Sequence, residues 1–209
     1  MKLLNYFLTN TKKMIHKPQS YFDIYERYFS PFAGREVKIL EIGVSHGGSL
    51  QMWKHYFVLY SKIVGIDINP VCKQFEEDQI KIYIGDQASP NFLKEIIDKE
   101  KYFDIIIDDG GHHSHQQWMS FVYLYPVTKS IYMVEDVGCS YKVEYGGGVN
   151  SFVERSKKMI DELMAYENGI TPTYLTENTK AIHFHDCIVV YEVGKRQEHN
   201  TKAIGVNTL

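Results

Sequence analysis

Cysteine is scarce in this chain. There are three (Cys72, Cys139, Cys187) in 209 residues, an odd number, far apart and without a CxxC pair. That usage excludes a disulfide framework and reads as reduced thiols in a cytosolic protein. Long apolar runs are missing too. None approaches the roughly 20 residues that span a bilayer. The short apolar patch at 3–8 is broken by Asn5 and followed by no small-residue cleavage site, so no signal peptide is expected. Nor is there an excess of positive charge. Lys and Arg total 23 against 26 Asp and Glu, a formal net charge of −3, which argues against duplex nucleic acid as the main partner. No repeat or low-complexity stretch is visible. What remains is an ordinary globular composition, 44% apolar and 23% charged, too apolar for a disordered chain and sized for one domain with an appendage. Sixteen tyrosines leave a homo-oligomeric surface open.

Residues 18–32 carry an amphipathic helical pattern, with Tyr21, Ile24, Tyr25, Tyr28 and Phe29 on one face and Pro31 as the stop. From residue 37 the rhythm changes. Strands are expected at 37–42, 62–68, 81–84, 103–108 and 130–134. Several are continuous apolar runs, as strands buried on both faces of a parallel sheet must be. Helices fall between them. One has Leu50, Trp53, Phe57 and Tyr60 on one face. A second opens with Ser89 as N-cap and Pro90 at its first position. Further helices are expected at 115–125 and 151–166, and two last strands over 181–193 meet at His185-Asp186. The expected fold is α/β: an open, doubly wound, mostly parallel seven-stranded sheet with a short N-terminal helical cap. The boundaries are a cap or lid at 1–35, a ligand-binding catalytic domain at 36–195 and a tail at 196–209.

In such sheets ligands bind at the carboxyl ends of the strands. The first five strands end, in order, at Glu41, Asp67, Asp86, Asp108-Asp109 and Glu135-Asp136, so each delivers a carboxylate to one rim. After the first comes Gly43-Val44-Ser45-His46-Gly47-Gly48-Ser49. Ser45 stands where a dinucleotide fingerprint needs glycine for the pyrophosphate, and no P-loop Gly-Lys is present. An acidic rim repels phosphate and suits a cationic, hydroxyl-rich ligand. Asp67 follows about 20 residues on, where a carboxylate meets a ribose diol. A nucleoside carrying positive charge and no phosphate fits, and S-adenosylmethionine is one.

The segments "ILEIGVSHGGSL", "GIDI", "GD" and "DIIIDDGGHH" resemble motifs of the class I methyltransferases. More closely, "IDDGGHH", "VEDV" and "YGGG" resemble the metal-dependent O-methyltransferases that act on macrolide sugars, the macrocin and mycinamicin type, over about 21–193. The resemblance implies a Rossmann-like methyltransferase fold and magnesium-assisted methyl transfer from S-adenosylmethionine to a sugar hydroxyl. The cofactor set it points to is Glu41, Gly43, Ser45, Ser49, Asp67, Ile68, Asp86, Gln87 and Asp108. The large N-terminal domain of some macrolide-sugar enzymes has no counterpart in this sequence. The expected acceptor is therefore a sugar nucleotide or glycan rather than a macrolide.

The residues also carry the metal chemistry by themselves. Asp109, Glu135 and Asp136 at adjacent strand ends repel one another unless a cation joins them. All-oxygen ligation suits Mg²⁺. Both Glu135 and Asp136 can face one ion only if the strand has ended there, and Val137-Gly138 permits that. His112 is suited to take the proton of a hydroxyl. The resemblance assigns the same work: Asp109, Glu135 and Asp136 to metal, His112 to base. Tyr21, His113 and Tyr141 are candidates for substrate contact, with the 141–148 loop over the site. The segment holding Lys17, Tyr21 and Tyr25 reads either as a water-excluding lid or as core packing. His46 faces cofactor or solvent. A zinc site on His112, His113 and His115 is disfavoured because adjacent histidines rarely converge. Other readings are a catechol-type diol O-methyltransferase, a hydroxylase-like relative and a non-catalytic binder of S-adenosylmethionine.

Overall fold

The structure is a computed structural model and describes residues 2–57, 60–196, 201–206 and 208. Seven strands form one sheet: β1 (Lys38–Ile42), β2 (Lys62–Asp67), β3 (Ile80–Ile84), β4 (Phe103–Asp108), β5 (Thr128–Val134), β6 (Thr179–His185) and β7 (Ile188–Val193). Their spatial order is β3-β2-β1-β4-β5-β7-β6. The first five pair in parallel, while β7 runs antiparallel to both β5 and β6. The strand order reverses between β1 and β4, and that is where the crevice of a doubly wound sheet opens.

Alternation along each strand divides the core between the two faces. Ile39, Ile63, Ile105, Ile107 and Met133 point to one face, under α1 (Lys2–Leu8), α2 (Tyr21–Phe29) and α3 (Gly48–Tyr56). Leu40, Ile42, Val64, Ile106 and Val134 point to the other. There they lie under α4 (Pro90–Glu100), α5 (Ser114–Leu124) and α6 (Phe152–Leu163). Burial on both sides is why "DIIID" reads as an unbroken apolar run. The N-terminal cap belongs to the first of these cores: Leu3, Phe22, Tyr25 and Phe29 are buried against Trp53 and the β1 and β4 isoleucines.

Helix starts follow their caps. The Ser89 hydroxyl accepts from the Phe92 amide and the Ser151 hydroxyl from the Glu154 amide. Several boundaries differ from the sequence expectation. The apolar patch at the N-terminus is helix α1, whose exposed Asn5 interrupts nothing because only Leu3 of the helix is buried. Glu26 accepts from the Leu3 amide at 2.8 Å and ties α1 to α2. Helix α2 is shorter than 18–32 and passes into a tight turn over Ser30–Phe32 at Pro31. Helix α3 ends at Tyr56 because Phe57 is extended, so Tyr60 is exposed rather than on the apolar face. Helix α6 stops at Leu163, and two short helices, α7 (Ala165–Asn168) and α8 (Tyr174–Asn178), precede β6. Within the expected 196–209 tail, residues 197–200, 207 and 209 lie outside the described residues.

Sheet register levels the rim. Ile42 pairs with Asp108, and Asp108 with Val134. The next row is therefore Gly43, Asp109 and Glu135, still held by ladder bonds from the Asp109 amide to the Ile42 carbonyl (3.0 Å) and from the Glu135 amide to the Asp108 carbonyl (2.9 Å).

Candidate active site

Period-two alternation carries beyond the last strand residues and sorts the carboxylates. Glu41 follows Ile39, Asp109 follows Ile107, and Glu135 follows Met133, so all three reach the face covered by α2 and α3. Asp108 follows Ile106 to the opposite face. Asp136 breaks the pattern: its backbone is left-handed (φ 53°), which turns its side chain out of the sheet.

Lys17 meets the first group. Its ammonium lies 2.7 Å from Asp109 Oδ2, 3.0 Å from Glu135 Oε2 and 3.3 Å from Glu41 Oε1. Burial disfavours the charge on Lys17, yet Asp109 and Glu135 outweigh it and hold the ammonium protonated well above the usual lysine range. Burial pushes Glu41 and Glu135 upward, and Lys17 pulls both back. Glu135 also accepts from the Tyr25 hydroxyl at 2.7 Å. Glu41 accepts from Ser49 Oγ (2.7 Å) and Trp53 Nε1 (3.0 Å).

The second group faces the crevice. One ligand atom each from Asp109, His112 and Asp136 lies within 4.8 Å of the others. His112 Nε2 is 3.5 Å from Asp136 Oδ2, and the Tyr21 hydroxyl donates to Asp136 Oδ1 at 2.6 Å. His112, like Asp136, is left-handed (φ 57°), as is Ser45 (φ 49°) on the glycine loop. Strained backbone at three points of one site marks a geometry that its surroundings enforce. All three carboxylates of the expected metal set stand at this rim. Asp109 and Asp136 come together with His112, whereas Glu135 keeps the strand alternation and is engaged by Lys17 and Tyr25. Donor type and spacing of Asp109 and Asp136 fit a hard divalent ion.

Beside this group lies a cavity of about 340 Å³. Gly43 forms its floor with φ 95°, and a Cβ there would sit 2.1 Å from the Asp109 carbonyl oxygen. Only glycine lets the two loops approach. Ser45, Ser49, Asp67, Ile68, Asp86 and Gln87 line the cavity with Gly43, as does His46. Asp67 Oδ2 accepts from the Val44 and Ser45 amides at 2.9 and 3.0 Å, so this carboxylate shapes the loop as well as facing the cavity. Glu41 and Asp108, expected at the cofactor, are fully buried and do not line it. They brace it from behind. Asp108 Oδ1 accepts from Gln87 Nε2 at 3.0 Å, and Gln87 Oε1 accepts from the Gly111 amide at 2.7 Å. Gly110 leaves room for this brace, since a Cβ would meet Gln87 Oε1 at 2.0 Å.

Of the substrate candidates, Tyr21 is buried and turned to Asp136. His113 packs on Tyr145 (5.1 Å) and His115 (5.8 Å), and Tyr141 is exposed. Among the described residues neither His113 nor His115 joins the metal-capable group. The buried contacts of Lys17 and Tyr25 carry no local sequence signal.

Asp108 gives a test by pH. Burial raises its carboxyl to about 6, against bonds from Gln87 and Gly110 that lower it. The unfolded chain releases this proton near the ordinary carboxylate value. The folded state therefore binds more protons between those limits, and stability falls as pH rises through about 4 to 6. The penalty is complete above that window, about 3 kcal/mol at neutral pH. Asp108→Asn should gain on wild type by about 1 kcal/mol between about pH 5 and pH 7.5 in denaturant melts. A pH-independent difference would show that Asp108 is not the titrating group.

No protein-family model matches the chain. Demethylmacrocin O-methyltransferase of Streptomyces fradiae is 32% identical over 193 residues, 83% of this chain and 48% of that protein. Mycinamicin VI 2''-O-methyltransferase of Micromonospora griseorubida is 30% identical over 193 residues, again 83% and 48%. The structure of the MycE methyltransferase in complex with Mg, SAH and mycinamycin VI superposes with a TM-score of 0.81 at 29% identity, over 93% of this chain and 53% of that one. An O-methyltransferase from Bacillus cereus in complex with SAH shares the fold alone, with a TM-score of 0.56 at 16% identity. The chain spans about half the length of the curated relatives it matches. It has the class I methyltransferase fold and is a relative of the macrocin- and mycinamicin-type sugar O-methyltransferases.

Proposed function

We propose that this protein is an O-methyltransferase that moves the methyl of S-adenosylmethionine to a hydroxyl of a sugar or glycoconjugate, with a divalent cation, Mg²⁺ in the first instance. The observation that carries the reading is the meeting of Asp109, His112 and Asp136 beside the glycine-loop cavity, which Asp109 and His112 line.

The cofactor residues are Gly43, Ser45, Ser49, Asp67, Ile68, Asp86 and Gln87, with Glu41 and Asp108 bracing the loops behind them. Asp109 and Asp136 would hold the cation, with Glu135, the third carboxylate of the expected set, bonded to Lys17 beside them. When bound, such an ion polarises an alcohol and fixes its direction, and the sulfonium supplies an electrophilic methyl. The residues of the chain do the rest. Tyr21, donating to Asp136, fixes the rotamer of that carboxylate. His112, about a quarter exposed and facing Asp136 through Nε2, receives the hydroxyl proton. Met14 to Lys17 close one side of the cavity and reduce water access. Holding acceptor and donor in line contributes as much as roughly 7–11 kcal/mol in favourable cases. The sugar contacts in this reading are His113, packed on Tyr145, and the exposed Tyr141. No described helix is long and apolar enough to cross a membrane. Three free thiols support a cytosolic setting.

The test is a screen of nucleotide sugars and glycosides with labelled S-adenosylmethionine, read by product mass. Chelation by EDTA should abolish transfer and Mg²⁺ should restore it. Transfer that survives exhaustive chelation would refute the cation's role. Failure to bind S-adenosylhomocysteine in calorimetry would refute the cofactor assignment.

A further inference from the structure

The segment between α1 and α2 is a strap across the cofactor cavity. The Lys13 and Met14 carbonyl oxygens lie so close to Gly48 that a Cβ there would be 2.6 and 2.2 Å from them. Asn10 pins the turn before it, donating from Nδ2 to the Lys13 carbonyl at 2.8 Å and accepting from the Lys12 amide at 3.1 Å. Met14 to Lys17 line the cavity. At its far end the strap is fastened through one side chain. The Lys17 ammonium, with 2% of its side chain exposed, bridges Glu41, Asp109 and Glu135, so it joins the ends of β1, β4 and β5.

Asp109 is therefore shared. Its Oδ2 is bonded to Lys17, while the same carboxylate faces Asp136 and His112 across the crevice. A unit charge 2.7 Å from one oxygen weakens the pull of that carboxylate on a second cation.

We propose that Lys17 is a positioning residue that sets two affinities in opposite senses. It strengthens cofactor binding by fastening the 10–17 strap over the cavity. It weakens divalent-cation binding by keeping an ammonium on Asp109 and Glu135. The inference rests on the cofactor and cation reading given above. Its consequence is that the divalent ion is an exchangeable participant in the reaction, while the ammonium is the fixture that keeps the strand ends together.

The experiment is Lys17→Met, with Mn²⁺ as the cation probe and S-adenosylhomocysteine as the cofactor probe, both by calorimetry. The variant should bind Mn²⁺ about tenfold more tightly and S-adenosylhomocysteine about tenfold more weakly. Mn²⁺ should also raise its melting temperature by more than it raises that of wild type. General damage to the fold would lower both affinities together, and that result, or two unchanged affinities, overturns the proposal. A wild-type protein that binds neither probe overturns the functional reading instead. Should Lys17→Met fail to fold with Mn²⁺ present, Lys17→Met with Glu135→Gln removes both charges of the buried pair. That double variant should still lose about tenfold in S-adenosylhomocysteine affinity, with Mn²⁺ affinity returning toward wild type. Wild-type cofactor affinity in the double variant overturns the proposal.

Discussion

Asp109→Asn should lower methyl transfer by about 10²–10³-fold, roughly 3–4 kcal/mol of transition-state stabilisation, while S-adenosylhomocysteine binding stays within about twofold. Asn keeps the shape of Asp and removes its charge. Of the carboxylates in the site, Asp109 touches both of its halves: Lys17 at 2.7 Å on one side and the Asp136 and His112 group on the other. Losing the charge on the crevice side leaves Asp136 as the one carboxylate of that group, too little for a hard ion that coordinates through several oxygens.

The fold should survive, because Lys17 keeps Glu135 and Glu41 as partners. The floor of the cofactor cavity should survive as well, since Gly43 meets the backbone carbonyl of Asp109, not its side chain. Mn²⁺ affinity should fall in parallel with turnover, and raising Mg²⁺ should recover part of the rate. Full activity in Asp109→Asn would remove this residue from the cation site. Loss of activity together with loss of cofactor binding would assign it to the cofactor side instead.

What could be read from the sequence was whatever depends on near neighbours in the chain. Strands buried on both faces announce themselves as apolar runs, so β1, β2, β4 and β5 were legible to within two residues of their ends. Carboxylates at strand ends could be placed on one rim because parallel strands in register finish together. Which way each carboxylate turns was harder. Val137-Gly138 permits a strand end at which both Glu135 and Asp136 face one ion. In the fold the ladder continues one residue further, so Glu135 obeys the alternation and Asp136, left-handed, does not. The Lys17 contacts lie 92 and 118 residues away along the chain. Nothing in the neighbourhood of Lys17 announces them, because a buried lysine is recognised by its partners and those are set by tertiary packing. The same holds for Asp108: alternation sends it to the opposite face, and its partner Gln87 lies 21 residues away along the chain.

Replacing His112 separates two chemical roles that one ring position could serve. One of its ring nitrogens lies with Asp109 and Asp136 in the group that could hold an ion, yet imidazole suits softer metals better than Mg²⁺, and two carboxylates already supply hard oxygens. The role left for it is proton acceptor. His112→Ala should then cost about 10²–10⁴-fold in kcat and leave Mn²⁺ affinity unchanged. Alanine at φ 57° is strained, so His112→Asn, which tolerates the left-handed region, is the cleaner variant and should show the same loss. Added imidazole should restore part of the activity of His112→Ala but none of that of Asp109→Asn. A drop in Mn²⁺ affinity equal to the drop in rate would make His112 a ligand, and the proton would then need another acceptor.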